Sequence, residues 1–250
     1  MNILILIIML VILSFISKIN NKKQKIIKDC PECKKYRKFT KMRLIHLNSL
    51  NFDFKNKTVL EIGAKDSSFA RFFLSQNAKV TISSPLDSKI NKFKKLKLDI
   101  NVIKLDIENP IPVLKYDFII CYGVIEHIPN PIKSIEWMSQ NCNTLILESS
   151  VSNLLNENIM TINYKNNSKD LSLKKSGSRF SRLTLMNLLS NYFKYVYTTK
   201  TQPEHEKYPK YWNSIDLKFH LTLNIRAIFV ASHSILNNNT LQFNLPKVQK

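Results

Sequence analysis

From residue 57 onward, apolar runs of strand length alternate with segments of helical spacing. KTVLEIG (57–63) is apolar on both faces, the pattern of a strand buried between two layers. SSFARFFLSQ (67–76) has apolar residues at 69, 70, 72, 73 and 74 behind Asp66 or Ser67 as a cap, which predicts a helix. AKVTIS (78–83) predicts a second strand, stopped by Pro85, and a Lys-rich segment near 87–97 predicts a second helix. INVIKLD (100–106), YDFIICYG (116–123) and NTLILES (143–149) predict strands three to five. PIKSIEWMSQ (131–140) reads as a helix opened by Pro131 at its first position. Residues 150–178 break the rhythm with Asn, Ser and Lys and read as a long loop or lid. SRLTLMNLLSNYF (181–193) resumes helical spacing, and YVYTTKTQ (195–202) and LNIRAIFVAS (223–232) predict two last strands. The alternation predicts a doubly wound α/β sheet of seven strands with helices on both faces.

The N-terminus follows a different pattern. Residues 3–16 are apolar except for Ser14, and eleven Lys or Arg follow between Lys18 and Arg43, against Asp29 and Glu32. A secretory signal has its positive residues before the apolar stretch and a small-x-small cleavage site after it. The order here predicts a membrane anchor over 1–17, a basic linker over 18–43 and a folded domain over 44–250. The positive-inside rule places that domain on the cytoplasmic side of the membrane.

Composition narrows the function classes. With 250 residues, 44% apolar and 22% charged, the chain builds one sizeable core, and wholesale disorder is excluded. The net charge of +20 comes mostly from Lys, without Arg clusters or interleaved aromatic platforms. A solvated surface is therefore expected rather than a nucleic-acid interface. Cys30-Pro-Glu-Cys33 is half of a zinc site with no second half nearby, and Cys121 and Cys142 read as small buried hydrophobes. No metal and no disulfide framework is expected.

Glycine changes the picture most. Only Gly63, Gly123 and Gly177 occur, where average usage gives about seventeen. Each survivor predicts a positive φ or a close approach. Gly63 and Gly123 fall at strand ends, where doubly wound sheets bind ligands. Polar residues gather at the same ends: Glu61, then Ser83, Ser84 and Asp87, then Asp106, then Tyr122, Glu126 and His127, then Glu148 and Ser149. One ligand crevice is expected along that edge.

Three stretches, VLEIGAKDSSFA (59–70), INVIKLDIENP (100–110) and YDFIICYGVIEHIPNP (116–131), resemble the class I S-adenosylmethionine-dependent methyltransferases in content and order. The resemblance implies a Rossmann-like, mostly parallel seven-stranded sheet with an antiparallel last strand, and S-adenosylmethionine as cofactor. It puts Glu61, Gly63 and Ala64 against the methionine part, Asp106 on the adenine amino group and Ile107 on its ring. It puts Cys121 and Tyr122 beneath the sulfonium. Ser84 stands in place of the family's ribose-binding acid, with Asp87 one turn on, and Lys65 and Ser67 replace two loop glycines. His127, beside Glu126, is the candidate base, because an imidazole takes a proton near neutrality. The aromatic stretch around His205, Tyr208, Tyr211 and Trp212 is a candidate acceptor contact. A membrane-tethered methyltransferase acting on a small-molecule, lipid or glycan-linked acceptor is expected. A catalytically silent binding module of the same fold and an RNA methyltransferase are the alternatives.

Overall fold

The computed structural model describes residues 38–152, 160–163, 176–212 and 225–250. The expected anchor and the Cys30/Cys33 pair lie outside these residues. Among the described residues no helix is long and apolar enough to cross a membrane. Helix α1 (Lys38–Ser49) precedes β1 (Thr58–Glu61), α2 (Ser68–Ser75), β2 (Lys79–Ser84), α3 (Asp87–Lys94) and β3 (Ile100–Lys104). A helix-free crossover leads to β4 (Tyr116–Tyr122), a 3-10 turn (Ile125–His127), α4 (Pro131–Asn141) and β5 (Cys142–Ser152). β6 (Met160–Asn163) and β7 (Ser176–Ser181) precede α5 (Arg182–Ser190), β8 (Tyr195–Thr199), β9 (Arg226–Ser232) and β10 (Leu241–Gln242).

The strands form a mixed sheet in the order β10-β8-β9-β5-β4-β1-β2-β3, with β7 joined to β5 and β6 to β7. β1 pairs in parallel with both β2 and β4, so the strand order reverses beside β1. Such a reversal opens a crevice at the carboxyl ends of the strands. β9 runs antiparallel to both β5 and β8, the one reversed strand among the seven expected.

Period-two alternation assigns the two faces. Val59, Ile82, Ile120, Ile146 and Ile228 pack with Leu44 and Leu47 of α1 and Phe69, Phe72 and Phe73 of α2. Leu60, Ile119, Leu145, Leu147 and Phe229 pack with Ile135 and Met138 of α4 and Leu185 and Leu189 of α5. By the same parity Glu61, Tyr122, Glu148 and Arg226 fall on the α1 face. These are polar positions within a face that is otherwise apolar, and they sit at its carboxyl edge.

Four strands and one helix depart from the sequence pattern. The stretch 150–178, expected as a loop or lid, contains β6 and the first residues of β7, paired from Met160↔Arg179 to Asn163↔Ser176. β5 runs on to Ser152, where Val151 and Ser152 pair with Phe180 and Ser181. Backbone pairing orders a segment whose polar composition hides it. β10, only two residues long, is too short to show a period. α1 begins at Lys38, inside the stretch expected as linker, because Leu44, Leu47 and Leu50 are buried in the core.

Candidate active site

The β1–α2 turn is tight and polar. Gly63 has φ +67°, and a Cβ there would lie 2.7 Å from Val124 Cγ2. The adjacent Ala64 is buried and donates its N–H to the Ser83 carbonyl at 2.9 Å. Glu61, 7% exposed, has a carboxylate oxygen (Oε2) with no hydrogen-bond partner among the described residues. Burial, reinforced by the nearby Asp66 charge, holds its carboxyl well above the usual carboxylate range. On the next strand the buried Tyr122 hydroxyl also has no partner among the described residues. Two unpaired polar groups on one face, beside a left-handed glycine at the sheet's switch point, fit a ligand with its own donors and acceptors.

The other predicted cofactor residues are arranged less uniformly. The Asp106 carboxylate accepts from the Glu108 N–H at 3.0 Å and from Asn109 Nδ2 at 3.4 Å, shaping the turn after β3. Ile107 is buried and accepts from the Ser134 hydroxyl at 2.6 Å, which fixes that turn against α4. The Ser84 hydroxyl accepts from the Leu86 N–H at 3.2 Å. Asp87 points to solvent and pairs with Lys104 Nζ at 2.8 Å. Cys121 is fully buried on the α4–α5 face among Leu60, Ile119 and Leu147, and burial pushes its thiol up. Gly177, the third glycine, lies in β7 opposite Ile162.

At the ends of β4 and β5 lies a buried charge network. Glu148, with no exposed surface, accepts from Arg43 Nη2 at 2.5 Å and from the Tyr208 hydroxyl at 2.8 Å. It also accepts from Arg226 Nε and, at 3.1 Å, from Arg226 Nη2. Arg226 bonds Glu126 as well, and its Nη1 donates to the Ser150 hydroxyl at 2.7 Å. Ser149 and Ser150 donate to Glu126 at 3.4 and 3.3 Å. Burial alone would raise the Glu148 carboxyl, but the guanidinium groups of Arg226 and Arg43 outweigh it and bring it down to about 2. Gly123, φ +72°, passes beneath this network: a Cβ there would meet Arg43 Nη2 at 3.2 Å and Arg226 Nη2 at 3.3 Å. His127 is half-buried next to it, and burial lowers its pKa, with Glu126 opposing and Arg226 assisting.

Arg43 and Arg226 are the members that the pattern of strands and loops did not single out. Arg43 sits within a basic run of the sequence, yet its guanidinium stacks 4.0 Å from the Phe39 ring centroid and is only 11% exposed. The available signal was rarity: six of the chain's 38 basic residues are Arg. Tyr208, expected as an acceptor contact, is instead buried on Glu148.

A family model described as a methyltransferase domain matches residues 34–192. No curated protein sequence matches the chain significantly. Solved structures share the fold. The N-terminal domain of EvdMO1, crystallised with S-adenosylhomocysteine (SAH), is 11% identical with a TM-score of 0.56, over 76% of this chain and 79% of that one. An S-adenosylmethionine-dependent methyltransferase from Mesorhizobium loti is 8% identical with a TM-score of 0.55, over 76% and 97%. The O-methyltransferase of a Brevibacillus brevis polyketide multienzyme, in complex with SAH, is 16% identical with a TM-score of 0.50, over 76% and 70%.

Proposed function

The chain belongs to this methyltransferase-domain family, and from that premise we propose that it transfers a methyl group from S-adenosylmethionine to a small-molecule, lipid or glycan-linked acceptor. The observation that carries the reading is the pair of buried groups without a partner among the described residues, Glu61 Oε2 and the Tyr122 hydroxyl, beside Gly63. S-adenosylmethionine, when bound, supplies an activated methyl group on a positively charged sulfur. Glu61 would hold the cofactor's ammonium group, and the Tyr122 hydroxyl would donate to a cofactor oxygen. Asp106 has lone pairs left for the adenine amino group, and Ile107 offers the ring an apolar floor. Ser84 and Asp87 are the residues for the ribose, Ser84 through its own O–H. His127, kept neutral by burial, accepts the proton that the acceptor loses. Alignment and exclusion of water supply the remaining catalysis, so no protein nucleophile is needed.

Two local observations favour a second reading, a silent cofactor-binding module. The Ser84 hydroxyl is engaged with Leu86, and Asp87 is turned out to Lys104. Titration calorimetry with SAH tests both readings. A saturable heat is expected, and no heat at about millimolar ligand overturns both. Binding without methyl transfer to any acceptor in a cell extract selects the silent module. The apolar segment 3–16 and the basic run after it support tethering to a membrane. Vesicle flotation of the full chain, lost on removal of residues 1–17, tests the tether.

A further inference from the structure

Arg182 presents a problem of charge. It opens α5 directly after the Ser152↔Ser181 pair that ends β5, so it stands at the same carboxyl edge as Glu148. Its guanidinium lies 3.9 Å from the Trp212 ring centroid, and Nη1 and Nη2 each donate to the Pro246 carbonyl at 3.1 Å. Among the described residues no carboxylate pairs with it, and burial draws its pKa down to about 10. The guanidinium groups of Arg43 and Arg226 are matched, Arg43 by Glu148 and Arg226 by Glu148 and Glu126, whereas that of the half-buried Arg182 is not among the described residues. A cation partly withdrawn from water without a counter-charge is costly, and a ring face with one carbonyl offsets only part of that cost. A guanidinium carries five N–H groups, and the carbonyl uses one on each Nη, so three remain. Lys210 and Lys247 lie beside Trp212 along the backbone: the Trp212 N–H donates to the Lys247 carbonyl, and the Gln249 N–H to the Lys210 carbonyl.

We propose that Arg182, backed by Trp212, is an oxyanion-binding site that takes a phosphate or carboxylate group carried by the methyl acceptor. The planar fork of a guanidinium matches either group with two parallel hydrogen bonds. β4 separates β5, whose end pairs with the strand that leads into Arg182, from β1, which leads into Gly63, and Trp212 packs against the α4–α5 side of the sheet. Assigning the oxyanion to the acceptor rests on the methyltransferase reading; the oxyanion site itself does not.

Tryptophan fluorescence tests the site, because Trp212 touches Arg182 while Trp137, the second tryptophan, is buried in the core. The full chain is titrated with sodium phosphate and with sodium acetate, against sodium chloride at matched ionic strength. A saturable change is expected with at least one oxyanion and not with chloride, and Trp212→Phe removes the signal. Arg182→Gln is expected to weaken the midpoint by at least about tenfold, and Arg182→Lys, which keeps charge but not the fork, by several-fold. Should Arg182→Gln lose its thermal transition, Arg182→Lys provides the comparison. Phosphate binding more tightly than acetate identifies a phosphate-bearing acceptor, and the reverse order a carboxylate-bearing one. No saturable response in the wild type, or an unchanged midpoint in the variants, overturns the site. A parallel SAH titration keeps the two readings apart: oxyanion binding without SAH binding retains the site and removes its assignment to an acceptor.

Discussion

Glu148 accepts hydrogen bonds from three side chains at once, and no water reaches it. Removing its charge leaves two guanidinium groups buried with reduced compensation. Glu148→Gln is therefore expected to cost about 3–5 kcal/mol in urea unfolding, far more than an exposed pair such as Lys104–Asp87 contributes. His46 sets a pH dependence of its own. It is buried, its Nε2 lies 3.0 Å from the Thr201 carbonyl, and burial lowers its pKa to about 4 against an ordinary 6.5. Between pH 6.5 and 4 the unfolded chain takes up a proton that the folded chain refuses, so stability falls as pH falls through that window. The loss amounts to about 3 kcal/mol. His46→Gln should flatten this part of a stability–pH curve, and an unchanged slope would contradict the assignment. Scarcity made some of these residues legible in the sequence. Gly63 and Gly123 both have positive φ, as their survival in a glycine-poor chain implied. The six Arg among 38 basic residues carried the same kind of signal, since a planar fork is kept where Lys does not suffice.

At the scale of elements, the long apolar strands and amphipathic helices were legible because packing on two faces enforces their periods. The β6–β7 pairing was not, because it is made by the backbone, and its sequence reads as a polar loop. α1 was hidden by charge: Lys38, Lys41 and Arg43 mask a buried row of Leu44, Leu47 and Leu50. Leu47→Ala should cost about 2–5 kcal/mol if α1 belongs to the core, and near zero if it were a linker. α5 offers a smaller test. Its N-cap Ser181 accepts from the Thr184 N–H at 3.0 Å, so Ser181→Ala should lower stability by about 1 kcal/mol.

For the whole molecule, strand order and local chemistry agree on one edge. The reversal beside β1 brings Glu61, Gly63 and Tyr122 together, and the Glu148 network closes the neighbouring β4–β5 end. Strand-end reading of the sequence found the first group, since each member follows an apolar run. It missed Arg43 and Arg226 because their partners lie 105 and 78 residues away in the chain. Glu61 is the group that a cationic cofactor would satisfy. The most direct test is titration calorimetry of S-adenosylmethionine into wild type and Glu61→Gln, in two buffers of different ionisation enthalpy. Because the free carboxyl is held well above its usual range and a bound ammonium group would draw it down, cofactor binding should release a proton at pH values between those two titrations, and Glu61→Gln should bind at least about tenfold more weakly without that release. Equal affinity and no proton release in both proteins would contradict it.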